Sequence, residues 1–261
     1  MPYVDRGDCR IHWQESGEGS PILLVMGAVY SSQMWYPVLP ALTARHRVIR
    51  FDNRGTGGST ATRVASISDM ARDGLAVLDA AGVDSAHVYG VSLGGVVTLQ
   101  LALEAPDRVR SLVLGCTGIL TGDKPRAPKS MNNLFWLPQR MLVSRTRFGS
   151  ACPPGNAAMA RQVLLRDVRK RRGLVAQQNA LRAYAASRAA VATLTMPSLV
   201  LHGTEDPIVP LAWGQELAET LPNSHFITYE GAGHNYAVEM DEAANNDVLA
   251  FLEKADALDR V

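Results

Sequence analysis

The stretch His87-Val-Tyr-Gly90-Val-Ser92-Leu-Gly94-Gly95 runs from a short apolar strand into the start of a helix-period segment, with a serine at the corner. A nucleophile on a sharp strand-to-helix turn needs small neighbours, because the backbone folds back closely on itself and the central residue is strained. Such a turn lifts the Ser92 hydroxyl above a sheet. It also sets the Leu93 N–H, at a helix start, where negative charge on a reacting oxygen would develop. The G-x-S-x-G string alone is weak. Its strand-turn-helix setting gives it weight.

Outward from this corner, short apolar runs punctuated by turn residues predict strands at Arg10–Glu15, Ile22–Met26, Val48–Asp52, His87–Gly90, Ser111–Leu114, Ser198–His202 and His225–Tyr229. Several are nearly continuous apolar runs, as expected of parallel strands covered on both faces. Helical spacing marks Ser66–Gly82, Leu93–Glu104, Leu211–Leu221 and Asp241–Leu258. The first opens on Ser66-x-x-Asp69, a hydroxyl cap with a carboxylate at the positive helix end, and stops at Gly82. Strands alternating with helices predict an α/β protein with a mostly parallel sheet flanked by helices.

A serine hydroxyl needs a base, and the base needs an orienting group. Of six histidines, His234 lies in the glycine-rich loop Glu230-Gly-Ala-Gly-His234-Asn, just after a predicted strand. Asp206, in His202-Gly-Thr-Glu-Asp206-Pro, follows another strand, with Glu205 beside it as a competitor. The order Ser, Asp, His suits a serine nucleophile on this kind of sheet. His202 precedes a tight turn and reads as structural, as do His12, His46, His87 and His225. Asp52 and Arg54 read as a loop-stabilising pair, and Cys116 as a small buried hydrophobe.

The motifs together resemble the α/β-hydrolase fold enzymes of the esterase and lactonase group, over essentially the whole chain. The matching segments are Met26-Gly-Ala with Trp35, Phe51-Asp-Asn-Arg-Gly-Thr-Gly-Gly-Ser59, the Ser92 turn, Pro106-Asp-Arg-Val, His202-Gly-Thr-Glu-Asp206-Pro-Ile-Val-Pro and Gly231-Ala-Gly-His234. The resemblance implies a triad of Ser92 as nucleophile, His234 as general base and acid, and Asp206 fixing the imidazole. It implies an oxyanion hole from the N–H groups of Leu93 and Ala28. The family usually carries His before that glycine; here it is Met26, which changes the hydrogen bonding that shapes the loop. No metal or organic cofactor is implied. The implied reaction is hydrolysis of a carboxylic ester or lactone through an acyl-enzyme. Thioester, C–C bond and amide cleavage, a non-hydrolytic step, or a ligand-binding relative with little turnover stay open on the same scaffold.

The resemblance also divides the chain into a core of 1–117 and 197–261 and a helical cap of 118–196. The cap segment has no clear strand, several prolines and a long helical stretch over Asn156–Ala192. It holds 14 Lys and Arg against Asp123 and Asp167, a net +12 that leaves −11 on the remainder, hidden by a whole-chain charge of +1. A solvated helical face, capture of an anionic substrate or an acidic carrier protein, and membrane-surface attachment through Arg161–Arg172 are the readings of this charge. Nucleic acid is not a predicted partner, since no recognised motif accompanies the basic residues. Tyr30 and Trp136 are candidate pocket residues.

Composition sets outer bounds. A chain of 261 residues, 47% hydrophobic and 20% charged, is long enough for one large α/β domain and is not disordered in character. Three cysteines without a C-x-x-C pair signal neither a disulfide framework nor a zinc site. The first residues lack an apolar signal core, and no run approaches the roughly 18 apolar residues of a spanning helix. A cytoplasmic enzyme acting on a small molecule is the expectation.

Overall fold

The structure, a computed structural model, describes residues 2–60, 66–121, 148–166 and 171–258. Eight strands form one sheet: β1 (Tyr3–Asp5), β2 (Arg10–Ser16), β3 (Ser20–Val25), β4 (His46–Phe51), β5 (Ala86–Val91), β6 (Val109–Gly115), β7 (Ser198–Gly203) and β8 (Ser224–Tyr229). Their spatial order is β1-β2-β4-β3-β5-β6-β7-β8. β1 and β2 pair antiparallel, β2 and β4 likewise, and every later pairing is parallel. The fold is α/β, an α/β-hydrolase sheet. β5 lies centrally, so the turn that follows it opens over the middle of the sheet.

Among the described residues the helices are α1 (Leu39–Thr43), α2 (Ile67–Ala80), α3 (Leu93–Glu104), α4 (Pro154–Arg166), α5 (Arg171–Ala183), α6 (Arg188–Val191), α7 (Leu211–Thr220), α8 (Tyr236–Glu239) and α9 (Asp241–Leu258). The capping signal at Ser66 is realised in full: its hydroxyl accepts from Asp69 N–H, and the Asp69 carboxylate accepts from Ser66 N–H. Such a box stabilises a helix start by about 1 kcal/mol. Helix α3 is buried along most of its length, and its Gly94 sits against the Val25 carbonyl at the end of β3, where a Cβ would overlap it.

Two apolar clusters cover the two faces of the sheet. One gathers Leu23, Val25, Ile49, Phe51, Val88 and Leu112 with α2 and α3; the other gathers Ile22, Leu24, Val48, Tyr89, Val113 and Leu201 with α9. Neighbouring residues of β3 thus point to opposite faces, the period-2 alternation of a strand buried on both sides.

Three differences from the sequence reading have physical causes. The edge strand β1 is only three residues long and largely exposed, so it carries no periodic signal. The helical stretch 156–192 is not continuous: residues 184–187 separate α5 from α6, which Ser187 caps. The short α8 is hidden inside the loop after His234. Between β6 and β7 the described residues contribute no strand.

Candidate active site

Ser92 has φ 56° and ψ −120°, outside the ordinary regions for a residue with a side chain. Holding it there costs on the order of 1–3 kcal/mol and requires firm surroundings. Those surroundings are present. Ser92 N–H donates to the Gly115 carbonyl at 2.8 Å, and its own carbonyl accepts from Gly95 N–H at 3.0 Å and from the Thr117 hydroxyl at 2.9 Å. A Cβ at Gly90 would strike the Gly94 carbonyl and the Thr98 hydroxyl, which explains why glycine flanks the serine. The Leu93 N–H lies at the start of α3, where helix geometry leaves it without an acceptor in its own turn.

The base loop and the acid loop follow β8 and β7. His234 Nδ1 lies 2.7 Å from Asp206 Oδ2, so Nδ1 donates its proton to the carboxylate and Nε2 carries the lone pair. The other carboxylate oxygen accepts from Ile208 and Val209 N–H at 2.8 and 3.0 Å. Burial works to raise the Asp206 carboxyl. The charge of His234, hydrogen bonds from His202 and His234, and the Val209 N–H outweigh it and hold the group well below the usual carboxylate range. Glu205 points elsewhere, taking Ser150 N–H and hydroxyl at 2.7 Å each.

Two features of these loops carry no obvious sequence signal. His202 Nε2 donates to the Val209 carbonyl at 3.0 Å and lies 3.5 Å from Asp206 Oδ2, so the histidine read as structural braces the acid loop. Glu239 is buried and accepts from Gly233 N–H at 2.9 Å, Asn235 N–H at 3.1 Å and Gly149 N–H at 2.6 Å. Gly233 and Asn235 flank His234, so this carboxylate grips the base loop from both sides. Burial pushes the Glu239 carboxyl up, against the pull of the three N–H groups.

Ser92 and His234 line one cavity, together with Ala28, Tyr30, Trp35, Val91, Ile208, Asn235 and Val238. Leu181 of α5 closes part of it. Among the described lining residues there is no Lys, Arg, Asp or Glu, and the wall is mainly apolar. Tyr30 lines the same cavity as Ser92 and His234, whereas Trp136 lies outside the described residues. No hydrogen bond joins Ser92 to His234 among the described residues; such pairs tighten when substrate enters. Met26 is buried among apolar side chains, and its carbonyl accepts from Asn53 Nδ2 at 2.7 Å. Asn53 thus anchors the Met26-Gly27-Ala28 loop. Gly27 passes close to Ser92, leaving only 3.2 Å between a notional Cβ and the serine Cβ.

The remaining expectations divide. Asp52 and Arg54 both stabilise their loop but not as a pair. Asp52 takes His12 Nδ1, Ser32 N–H and Gly58 N–H, while Arg54 pairs with Asp73 and Asp8. Cys116, His202 and Asp206 bring three atoms capable of binding a metal within 4.8 Å. Each is already engaged: Cys116 Sγ with the Gly233 carbonyl at 3.9 Å, His202 Nε2 with Val209, and Asp206 with His234. Burial pushes the Cys116 thiol well up, so it does not offer a thiolate. The group reads as packing beneath the acid. Most of the basic residues of 118–196 lie outside the residues whose side chains are described; Arg188 pairs with Glu216. Among the described residues no helix is long and apolar enough to cross a membrane.

A strained serine on a central strand-to-helix turn, sharing a cavity with the histidine of a His–Asp pair that follows β8 and β7, is an arrangement found in hydrolases of α/β architecture. The chain belongs to the α/β hydrolase fold family, whose pattern matches residues 20–176; the pattern described as TAP-like protein matches 176–259. It is 31% identical to a protein of Azorhizobium caulinodans named "Putative carbamate hydrolase RutD", over 98% of this chain and 100% of that one. Among solved structures it superposes on a thermophilic esterase from Thermogutta terrifontis with TM-score 0.85 and 26% identity, covering 98% of this chain and 99% of the esterase. The enol-lactonase from Burkholderia xenovorans LB400 gives TM-score 0.85 and 25% identity, covering 97% and 100%.

Proposed function

We propose that the protein is a serine hydrolase that cleaves a carboxylic ester or lactone through an acyl-enzyme. The observation that carries this reading is the 2.7 Å His234–Asp206 bond on a histidine that shares its cavity with Ser92. In the proposed sequence, Ser92 Oγ attacks the substrate carbonyl while His234 Nε2 takes its proton. Asp206 holds the tautomer and stabilises the imidazolium. The tetrahedral oxyanion is met by the N–H groups of Leu93 and Ala28, and collapse passes the proton from His234 to the leaving oxygen. Water, activated by His234, then releases the acid and restores Ser92.

The apolar wall supports an uncharged acyl or ring portion as the group held beside Ser92. It lends no support to an anionic group at that position; a thioester on an acidic carrier would have to place its charge elsewhere. Leu181 in the wall supports reading 118–196 as a cap over a core of 1–117 and 197–261. Unpaired Cys9, Cys116 and Cys152 agree with a cytoplasmic setting. A second reading is hydrolysis of a carbamate, favoured by the 31% identity to the relative of that name. The same triad serves it, since a carbamate carbonyl also forms a tetrahedral oxyanion.

Labelling by a fluorophosphonate, mapped to its peptide, together with p-nitrophenyl acetate turnover by wild type and Ser92→Ala, tests the serine mechanism. Label on Ser92 and loss of turnover in the variant are expected. An unlabelled, inactive wild type would overturn the reading. Comparing kcat/KM for phenyl acetate and phenyl carbamate then decides between the two substrate classes.

A further inference from the structure

Val29, directly after the proposed oxyanion donor Ala28, has φ 72°. A β-branched residue in the left-handed region is a marked outlier, and it persists only where surrounding bonds over-determine it. The bond that does so comes from outside the core sheet. Gln177, on α5, is 1% exposed. Its Oε1 accepts from Val29 N–H at 3.1 Å, and its Nε2 donates to the Arg54 carbonyl at 3.0 Å. Both ends of the amide are satisfied in one orientation, and the opposite orientation would satisfy neither.

The helix is seated to make this reach possible. Gly173, one turn before Gln177, lies so close to Gly55 that a Cβ on either residue would overlap the other's backbone. Arg54, the neighbour of Gly55, is itself fixed by Asp73 and Asp8. The loop 26–29 is therefore held at two points. Asn53 takes the Met26 carbonyl from within the core, and Gln177 takes the Val29 amide from the inserted helix. Between these points the Ala28 N–H donates to no group among the described residues, which leaves it free for a ligand oxygen.

We propose that Gln177 is a positioning residue for the oxyanion hole, holding Val29 left-handed so that the Ala28 N–H points toward the carbonyl oxygen attacked by Ser92. The proposal rests on the serine mechanism above. Its consequence is that the hole is complete only when α5 is docked, so the inserted segment contributes to catalysis as well as to the pocket wall.

The test uses Gln177→Met, which keeps length and volume without hydrogen bonds, and Gln177→Ala, with Asn179→Ala as a control for perturbing the same helix. Turnover of p-nitrophenyl acetate gives kcat and KM. Inhibition by an alkyl trifluoromethyl ketone, which adds to the serine as a tetrahedral oxyanion, gives Ki. Removing an oxyanion donor outright lowers kcat by about 10²–10³-fold. Loss of its brace is expected to lower kcat about ten-fold or more and to raise Ki by a similar factor, with KM nearly unchanged. Wild-type kcat and Ki in Gln177→Met overturn the proposal, as does a kcat loss without a Ki change or one matched by Asn179→Ala. If neither Gln177 variant folds, hydrogen exchange of the Val29 amide in the wild type decides: slow exchange supports the brace, and exchange at the unprotected rate overturns it. A wild type unlabelled at Ser92 removes the serine mechanism and this proposal together. A labelled wild type with an unaffected Gln177→Met removes the proposal alone.

Discussion

His202 Nε2 stands 3.5 Å from Asp206 Oδ2 while donating to the Val209 carbonyl at 3.0 Å. The acid that faces His234 is thus supported from behind by a second, fully buried imidazole. His202 adds a partial positive charge beside the carboxylate and ties β7 to the far end of the acid loop. These contacts hold Asp206 ionised and in place, the state that its proposed role beside His234 requires.

Asp206→Asn keeps the side-chain shape and removes the charge that sets the His234 tautomer. The expected result is a fall in kcat of about 10³–10⁴-fold for p-nitrophenyl acetate at pH 7. A loss under ten-fold would not be compatible with the triad. The same variant has a stability signature. The folded carboxyl titrates below its ordinary value of 3.8, so folding favours the ionised form. That stabilisation is present above pH 3.8 and is lost as the pH falls toward the lower folded value. Urea midpoints below about pH 4 should therefore fall less steeply in Asp206→Asn than in the wild type.

Glu239→Gln places an amide NH₂ where one carboxylate oxygen accepts from backbone N–H groups. At least one of Gly149, Gly233 and Asn235 then loses its acceptor, at a cost of about 1–3 kcal/mol for the stranded donor. The expected outcome is a lower urea midpoint with a reduced kcat, since Gly233 and Asn235 flank His234. The pH dependence has the opposite sign to that of Asp206. Burial raises the Glu239 carboxyl above its ordinary 4.5, so wild-type stability from this group falls as the pH rises through that value. In the glutamine variant that fall should be absent, as measured by denaturation between pH 4 and pH 7.

The sheet was legible in the sequence because its central strands are buried on both faces and read as apolar runs, and because Ser66 and Pro106 mark a helix start and a helix stop by local chemistry. The candidates Ser92, Asp206 and His234 could be picked out for a related reason: each lies near a glycine whose neighbours leave no room for a side chain, Gly90, Gly203 and Gly231. His202, Glu239 and Gln177 could not. Each grips a backbone group that only the folded loops bring to it, Gln177 on Val29 across 148 positions, Glu239 on Gly149, Gly233 and Asn235, and His202 on Val209, and no pattern of residue types encodes such a partner. Likewise His46 and His87 gave no pairing signal, because their shared partner Asp256 approaches from the last helix.

Gly94→Ala separates local from tertiary preference. In a helix such as α3, alanine is favoured over glycine by about 1 kcal/mol. Here the added methyl would overlap the Val25 carbonyl in a central strand and approach that of Met26. Neither backbone can give way without disturbing β3, so the expected result is destabilisation by about 3 kcal/mol, at the upper end of overpacking. Thermal denaturation reads the sign directly. A stabilised variant would mean that α3 sits farther from β3 than described.

Asp256→Ala tests the opposite end of the sheet. Asp256 Oδ1 accepts from the Ser20 hydroxyl at 2.6 Å and from His87 Nε2 at 3.0 Å, and His46 Nε2 lies 3.8 Å from Oδ2. His87 is fully buried, and its Nδ1 meets the Ser111 hydroxyl at 2.7 Å. One carboxylate thus fastens α9 to β3, β4 and β5. Removing it takes the shared acceptor from the Ser20 hydroxyl and His87 Nε2, which keep each other at 3.1 Å, with an expected cost of about 1–3 kcal/mol in urea denaturation at neutral pH. Burial works to raise the Asp256 carboxyl, but Ser20, His87 and His46 outweigh it and hold it below 3.8. The stabilisation is therefore present above that pH and lost as the pH falls, so the gap between variant and wild type should narrow below about pH 4. His87 lies near the start of β5, the strand that ends beside Ser92, roughly 16 Å away at 3.3 Å per residue. The folded variant should accordingly retain wild-type kcat at pH 7, and a large loss of kcat without a loss of stability would contradict a purely structural clamp.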